Sequence, residues 1–233
     1  MAIDTKELIL DTAEKLFAEN GIDAVSLRTI ISEAGVNLAA IHYHYGSKDS
    51  LVKEVFARRI LPVNRQRLML LDECEARAGE GTLAVEDVLR AFFSPAIRLS
   101  LDKERGHVFI HLYGRFWAEV GNKMQAEFEE LFREVLRRFL AAFRRALPHL
   151  SEKEIFWRAH FAVGGMVHTM VDSERLARMS GGLCRPSDVE ETIEQLVSYA
   201  DAGFSAPPPP AVGSEDSPGA EAEMVGAHSE GQS

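Results

Sequence analysis

Cysteine is nearly absent from this chain: Cys74 and Cys184 are the only two, far apart and without a C-x-x-C spacing. That scarcity argues against a disulfide framework or a redox pair. Long hydrophobic runs are missing as well. None approaches the roughly 20 residues needed to cross a bilayer. The opening MAIDTKELILDTAEKLF alternates charge with apolar residues and has no signal-peptide core, so a cytoplasmic protein is expected. No segment alternates in the manner of a strand. No Gly-rich phosphate loop, supported Ser/His/Asp grouping or Glu-x-x-His lying wholly within an expected helix occurs, which removes the common enzyme signatures. No cofactor or metal is expected on that basis.

Basic charge is in short supply too, with a net charge of −10, and this at first disfavours nucleic acid. Its location matters more than its sum. Residues 205–233 hold five acids (Glu215, Asp216, Glu221, Glu223, Glu230) and no Lys or Arg, so half of the net charge sits there. Within residues 27–60, five cations (Arg28, Lys48, Lys53, Arg58, Arg59) outnumber Glu33, Asp49 and Glu54, a surplus compatible with phosphate contact.

What is present is helical periodicity, and an all-α fold is expected. Asp4 with Glu7 three residues on forms a capping-box pattern before a face of Ile9, Ala13, Leu16 and Phe17. Ser26 caps a second helix, LRTIISEA, and Gly35 suits the left-handed residue after it. A third short helix is expected over Leu38 to His44. Ser47 caps a fourth, in which Pro62 predicts a kink or break. Further helices are expected over Thr82 to Ser100, Arg105 to Val120 and Met124 to Leu147. Ser151 with Glu154, and Ser187 with Glu190, mark the starts of the last two. The run after Phe204, beginning PPPPAVGSEDSPG, has little to bury and reads as a disordered acidic tail. The expected division is residues 1–50, 51–204 and 205–233.

The stretch VNLAAIHYHYGSK, Val36 to Lys48, poses a choice between a metal site and a helix laid against a ligand. Histidines two residues apart, His42 and His44, lie about 200° apart on a helix, which defeats shared ligation. At the same pitch Leu38, Ile41 and Tyr45 share an inward face, with Ala39, Ala40 and His44 opposite and His42 at the edge. Two short helices joined through Gly35 and braced by another describe a helix-turn-helix. A recognition helix needs small residues at its start so that it can approach base edges. Ala39 and Ala40 meet thymine methyls, and Asn37 donates to a base or phosphate. Lys48 and the N–H groups at the Ser47 helix start offer a second anion site. A plain packed turn with its polar side in water remains the bland alternative.

The segment LILDTAEKLFAENGIDAVSLRTIISEAGVNLAAIHYHYGSKDSLVKEVF resembles the DNA-binding domain of TetR-family transcriptional regulators throughout. The resemblance implies Arg28 and Thr29 near a phosphate or base. Asn37, Leu38, Ala39 and Ala40 would enter the major groove, with His42, Tyr43, His44 and Lys48 on the backbone. His42 departs from the pattern, which more often has tyrosine or asparagine there. The implied partners are a palindromic double-stranded operator, a second copy of the chain and a small apolar effector.

The remaining helices are rich in aromatics. Phe92, Phe109, Tyr113, Phe116, Trp117 and Phe132 are together the candidate lining of an apolar cavity, although any one of them alone reads more readily as core. FIHLYGRFW and IFWRAHFAVGGMVH resemble a branch of the family that responds to fatty acids or acyl-CoA, with Arg115, Arg158 or His160 for a polar head. Phe161, Gly164 and Gly165, with Ile193, Leu196 and Val197 in heptad-like spacing, are the candidate dimer seam. Two competing classes stay open. One is a helical-bundle enzyme or metal protein, because His107 and His111 lie one turn apart near Glu104. The other is an adaptor that binds proteins through a helix-turn-helix shape.

Overall fold

A computed structural model describes residues 5–102, 106, 108, 110, 112 and 124–209 of the chain. Among them every regular element is an α-helix: α1 (Thr5–Asn20), α2 (Leu27–Ala34), α3 (Leu38–His44), α4 (Lys48–Ala78), α5 (Val85–Ser100), α6 (Gln125–Ala146), α7 (Glu152–Val171), α8 (Ser173–Met179) and α9 (Val189–Ser205). Asp4 lies outside the described residues. Of the segment Arg105 to Val120, only Gly106, Val108, Ile110 and Leu112 are described, each helical.

Local chemistry sets most of these limits. The side chain of Ser26 accepts from Thr29 N–H, Ser47 from Ser50 N–H and Ser151 from Glu154 N–H, each satisfying one orphan donor of a first turn. Gly35 closes α2 at φ 66°, and its N–H returns to Ile31 O. A side chain there would meet no neighbouring atom, so the glycine is needed for its backbone angle alone. The last helix starts one residue later than expected. Asp188, not Ser187, is its cap and accepts from Glu191 N–H. The helix expected from Thr82 begins at Val85.

Pro62 does not break α4, which runs on for 31 residues. Proline removes one rung and crowds the carbonyl four residues back. Pro62 is on the exposed side, while Ile60 and Val63 beside it are buried. Burial against α5 and α6 therefore holds both flanking turns in place.

One apolar core runs through the molecule. At one end α1 packs on α2 and on the start of α4, and α3 packs on both α1 and α2. Further along, α4 packs on α5 and α6, α9 lies along α5, and α7 touches α5, α6 and α9. An ionic seam joins α1 to α4. Glu14 is 3% exposed and takes Arg59 Nε at 2.5 Å, with Arg58 Nη1 at 3.6 Å. Arg58 also holds Asp11 at 2.5 Å and Glu7 at 3.9 Å. Burial opposes the charge on Arg58, and the three carboxylates outweigh it, raising its pKa.

Candidate nucleic-acid interface and effector cavity

α3 is short but fastened at both ends. Asn37 is its N-cap, with Oδ1 accepting from Ala40 N–H at 2.9 Å. That engages the oxygen, so Asn37 faces any ligand as an Nδ2 donor. Ile41 is fully buried, and Tyr45 donates its hydroxyl to Lys6 O at 2.8 Å, tying the far end to α1. His42 Nδ1 lies 3.0 Å from Gly46 O. A carbonyl only accepts, so Nδ1 is the donor in this contact. Lys48 Nζ donates to Asp23 O at 3.3 Å, which steadies the turn between α1 and α2.

Arg28, Thr29, Asn37, Leu38, Ala39, His42 and Tyr43 are all exposed, Tyr43 at 86%. Ala40, His44 and Lys48 are half-buried. Leu38 corrects the expected face. It is 50% exposed rather than inward, because the first residue of a capped helix overhangs the core that Ile41 reaches. His44 is wedged between Tyr43 and Tyr45, with ring centroids 5.1 and 6.1 Å away. Arg58 and Arg59 leave the expected cationic surplus, because α1 carboxylates engage both.

A cavity of about 220 Å³ opens between α4, α5, α6 and α7. Ile60, Val63, Asn64 and Arg67 of α4 face it at helical spacing, opposite Phe92, Phe128, Phe132, Val163 and Met166. Of the sequence candidates, Phe92 and Phe132 line it. Phe109, Tyr113, Arg115, Phe116 and Trp117 lie outside the described residues. Arg158 does not reach it: the guanidinium is tied to Phe204 O at the end of α9 and lies 3.9 Å from Glu154. His160 is on the surface, against Trp157 and Phe161. The buried polar groups of the cavity are instead Asn64 and Arg67, 4% and 3% exposed, with the exposed Glu129 also in its lining. Sequence reasoning missed them. The i, i+3, i+4, i+7 pattern from Ile60 to Arg67 was the available signal, interrupted to the eye by Pro62.

Ile193, Leu196 and Val197 are buried inside the chain, so they serve its own core rather than a partner. Phe161 is 65% exposed, and a side chain added at Gly164 would meet nothing within 4 Å. Trp157 stacks on Phe161 at 5.6 Å, and Phe156 of α7 and Tyr199 of the adjoining α9 are exposed as well. Among the described residues no group of three His, Cys, Asp or Glu gathers as a metal would need, and no helix is long and apolar enough to cross a membrane. His107, His111 and Glu104 lie outside the described residues.

A helix-turn-helix head with an exposed third helix, carried on a helical body with an internal cavity, defines a helix-turn-helix regulator. The profile described as "Bacterial regulatory proteins, tetR family" matches residues 9–55, and that of "Tetracyclin repressor-like, C-terminal domain" matches residues 90–203. The chain belongs to the TetR family of transcriptional regulators, which are not enzymes.

Among curated relatives, the nicotine-responsive transcriptional repressor HdnoR of Paenarthrobacter nicotinovorans is 32% identical over 73 residues, 31% of this chain and 38% of that protein. The transcriptional repressor KstR2 of Rhodococcus jostii is 40% identical over 47 residues, 20% of this chain and 23% of that protein. The chain thus spans well under half the length of the curated relatives it matches. Likeness in fold extends much further. The fatty acid degradation regulator FadR of Bacillus halodurans superposes with a TM-score of 0.57 at 14% identity, covering 88% of this chain and 98% of that one. The SmeT–triclosan complex does so with a TM-score of 0.56 at 21% identity, covering 84% and 90%.

Proposed function

We propose that the chain is a homodimeric repressor that binds a roughly palindromic operator through α3 and leaves it when a small apolar effector fills the cavity. In this reading residues 1–50 form the DNA-binding head and residues 51–204 sense the effector and dimerise. The observation that carries it is the construction of α3, a seven-residue helix anchored by Ile41 and Tyr45 with its other side exposed. Leu38 and Ala39 enter the groove, Asn37 donates from Nδ2, and Arg28, Thr29, Tyr43 and Lys48 hold phosphates. Ala40 and His44, being half-buried, add contact at the margin of that surface.

The apolar strip of Phe156, Trp157 and Phe161 on α7, with Gly164 open for close approach, supports a two-fold seam. Such a seam sets the two copies of α3 roughly 34 Å apart, one turn of duplex. α4 links the two functions, since Lys48 and the α1 seam lie on one part of it and Asn64 and Arg67 on another. An effector that favours the DNA-incompetent spacing by about 1–3 kcal/mol releases the operator. A fatty acid or acyl-CoA is the effector that the sequence resemblance suggests.

Selection of bound duplexes from a random library tests the proposal. A two-fold-symmetric site with half-sites about ten base pairs apart is expected. Recovery of no symmetric site at moderate ionic strength would reject it.

A further inference from the structure

We propose that two copies of the chain clasp each other reciprocally: the stacked rings of Trp157 and Phe161 from one protomer seat in the groove between α7, α8 and α9 of its partner. This rests on the homodimer reading above and specifies its register. The receiving groove is open and is lined by His168 and Thr169 of α7, Leu176 and Met179 of α8, and Leu196 and Tyr199 of α9. Eight of the thirteen exposed large apolar side chains among the described residues fall between Phe156 and Tyr199. Four of the eight are aromatic, Phe156, Trp157, Phe161 and Tyr199, each 51–77% exposed. At about 200 Å² per ring they leave on the order of 500 Å² in water in a lone chain. A stable interface removes roughly 800 Å² from each partner, so these rings alone supply more than half of one.

The register follows from α7. Trp157, Phe161, Gly164, His168 and Val171 are all exposed and recur at alternating steps of four and three residues, which places them along one face. A two-fold axis beside Gly164 and Gly165 makes that face complementary to its own copy. It sets Phe161 of one protomer opposite His168 of its partner, and Trp157 opposite Val171. Gly164 has no side chain to hold the helices apart, and one added there would meet nothing within 4 Å in its own chain. At the shallow crossing of bundle helices, roughly 20°, contact continues for about two turns on either side. The aromatic half of each α7 thereby lies along the groove half of the other, and the two-fold fills both grooves at once.

This arrangement brings α8 into the interface. Leu176 and Met179 supply the α8 wall of the groove and are in water in the lone chain. The incoming rings cover both. Met179, a flexible and polarisable side chain, adapts readily to an aromatic ring.

The test is sedimentation equilibrium of the full chain and of three variants, with helicity followed by circular dichroism. Phe161→Lys, His168→Glu and, on α8, Leu176→Asp are each expected to weaken the dimer at least tenfold without lowering helicity, since all three positions are exposed. Phe161→Lys and His168→Glu mixed one to one should form a heterodimer within a few fold of the unaltered pair. The new cation then faces the new carboxylate on one side, and the original Phe161 and His168 contact is kept on the other. If a variant fails to fold, Gly164→Cys in a Cys184→Ser background decides. Ready cross-linking between copies under mild oxidation supports the axis at Gly164, and its failure overturns it. A dimer that survives any of the three variants, or a mixture that does not recover, overturns the clasp and leaves a homodimer of another register. An unaltered protein that sediments as a single chain removes the homodimer reading itself.

Discussion

Removing the Glu14 carboxylate leaves two guanidinium groups facing each other across the α1–α4 seam. Both arginines keep partial solvent contact, so Glu14→Ala should cost about 2 kcal/mol rather than the larger figure for a sealed pair, read from urea unfolding. An unchanged midpoint would show that water replaces the carboxylate at no cost. Lys48 donates inward to Asp23 O and, in the proposed function, outward to a phosphate. Lys48→Ala should weaken binding to all duplexes alike and lower the salt slope by about one unit, and an unaltered slope would remove its phosphate role. Single residues divide clearly in how legible they were. The caps Ser26, Ser47 and Ser151 were readable because donor and acceptor lie within three residues of each other. Glu14 and Arg67 were not, since their partners stand 45 and 25 positions away along the chain. Leu38 misled because an angle on a helical wheel does not say where the core ends.

At the scale of elements, α5 and α9 are riveted by exposed ion pairs, Arg90 to Glu194 and Arg98 to Glu190. The hydrogen bond from Arg90 holds the Glu194 carboxyl below its ordinary value of 4.5. A depressed carboxyl adds stability that is present above its unfolded pKa and is lost as pH falls through the folded one. The melting temperature should therefore drop below about pH 4.5, and the gap between wild type and Glu194→Gln should close on acidification. A gap that stays constant would assign the difference to packing. The pair is exposed, so the effect is small. Helix existence was legible almost everywhere from period and caps. Two elements escaped: α8, too short to show a period, and the uninterrupted run of α4. Proline predicts a kink or break from local sterics, and packing against α5 and α6 keeps the helix continuous.

For the whole molecule, the family and the outline of the head were readable from some fifty contiguous residues, because a helix-turn-helix is built from local contacts. Of the cavity lining the sequence had named Phe92 and Phe132 but not Asn64 or Arg67, since a cavity needs several helices brought together. Heptad spacing pointed to Ile193, Leu196 and Val197 as a seam, yet spacing alone does not distinguish an internal helix partner from an external one. Under the proposed two-fold seam, Phe161→Glu should give a single-chain species in light scattering where the unaltered protein gives a dimer, without lowering helicity, as this ring is already in water in the lone chain. Retention of the dimer would move the seam elsewhere. α4 is continuous but not uniform along its length. Pro62 takes one rung from the ladder between the turn gripped by α1 and the turn that reaches Arg67. Pro62→Ala would restore the rung, so the exchange should raise the melting temperature and, under the proposed function, make the effector less able to free the operator.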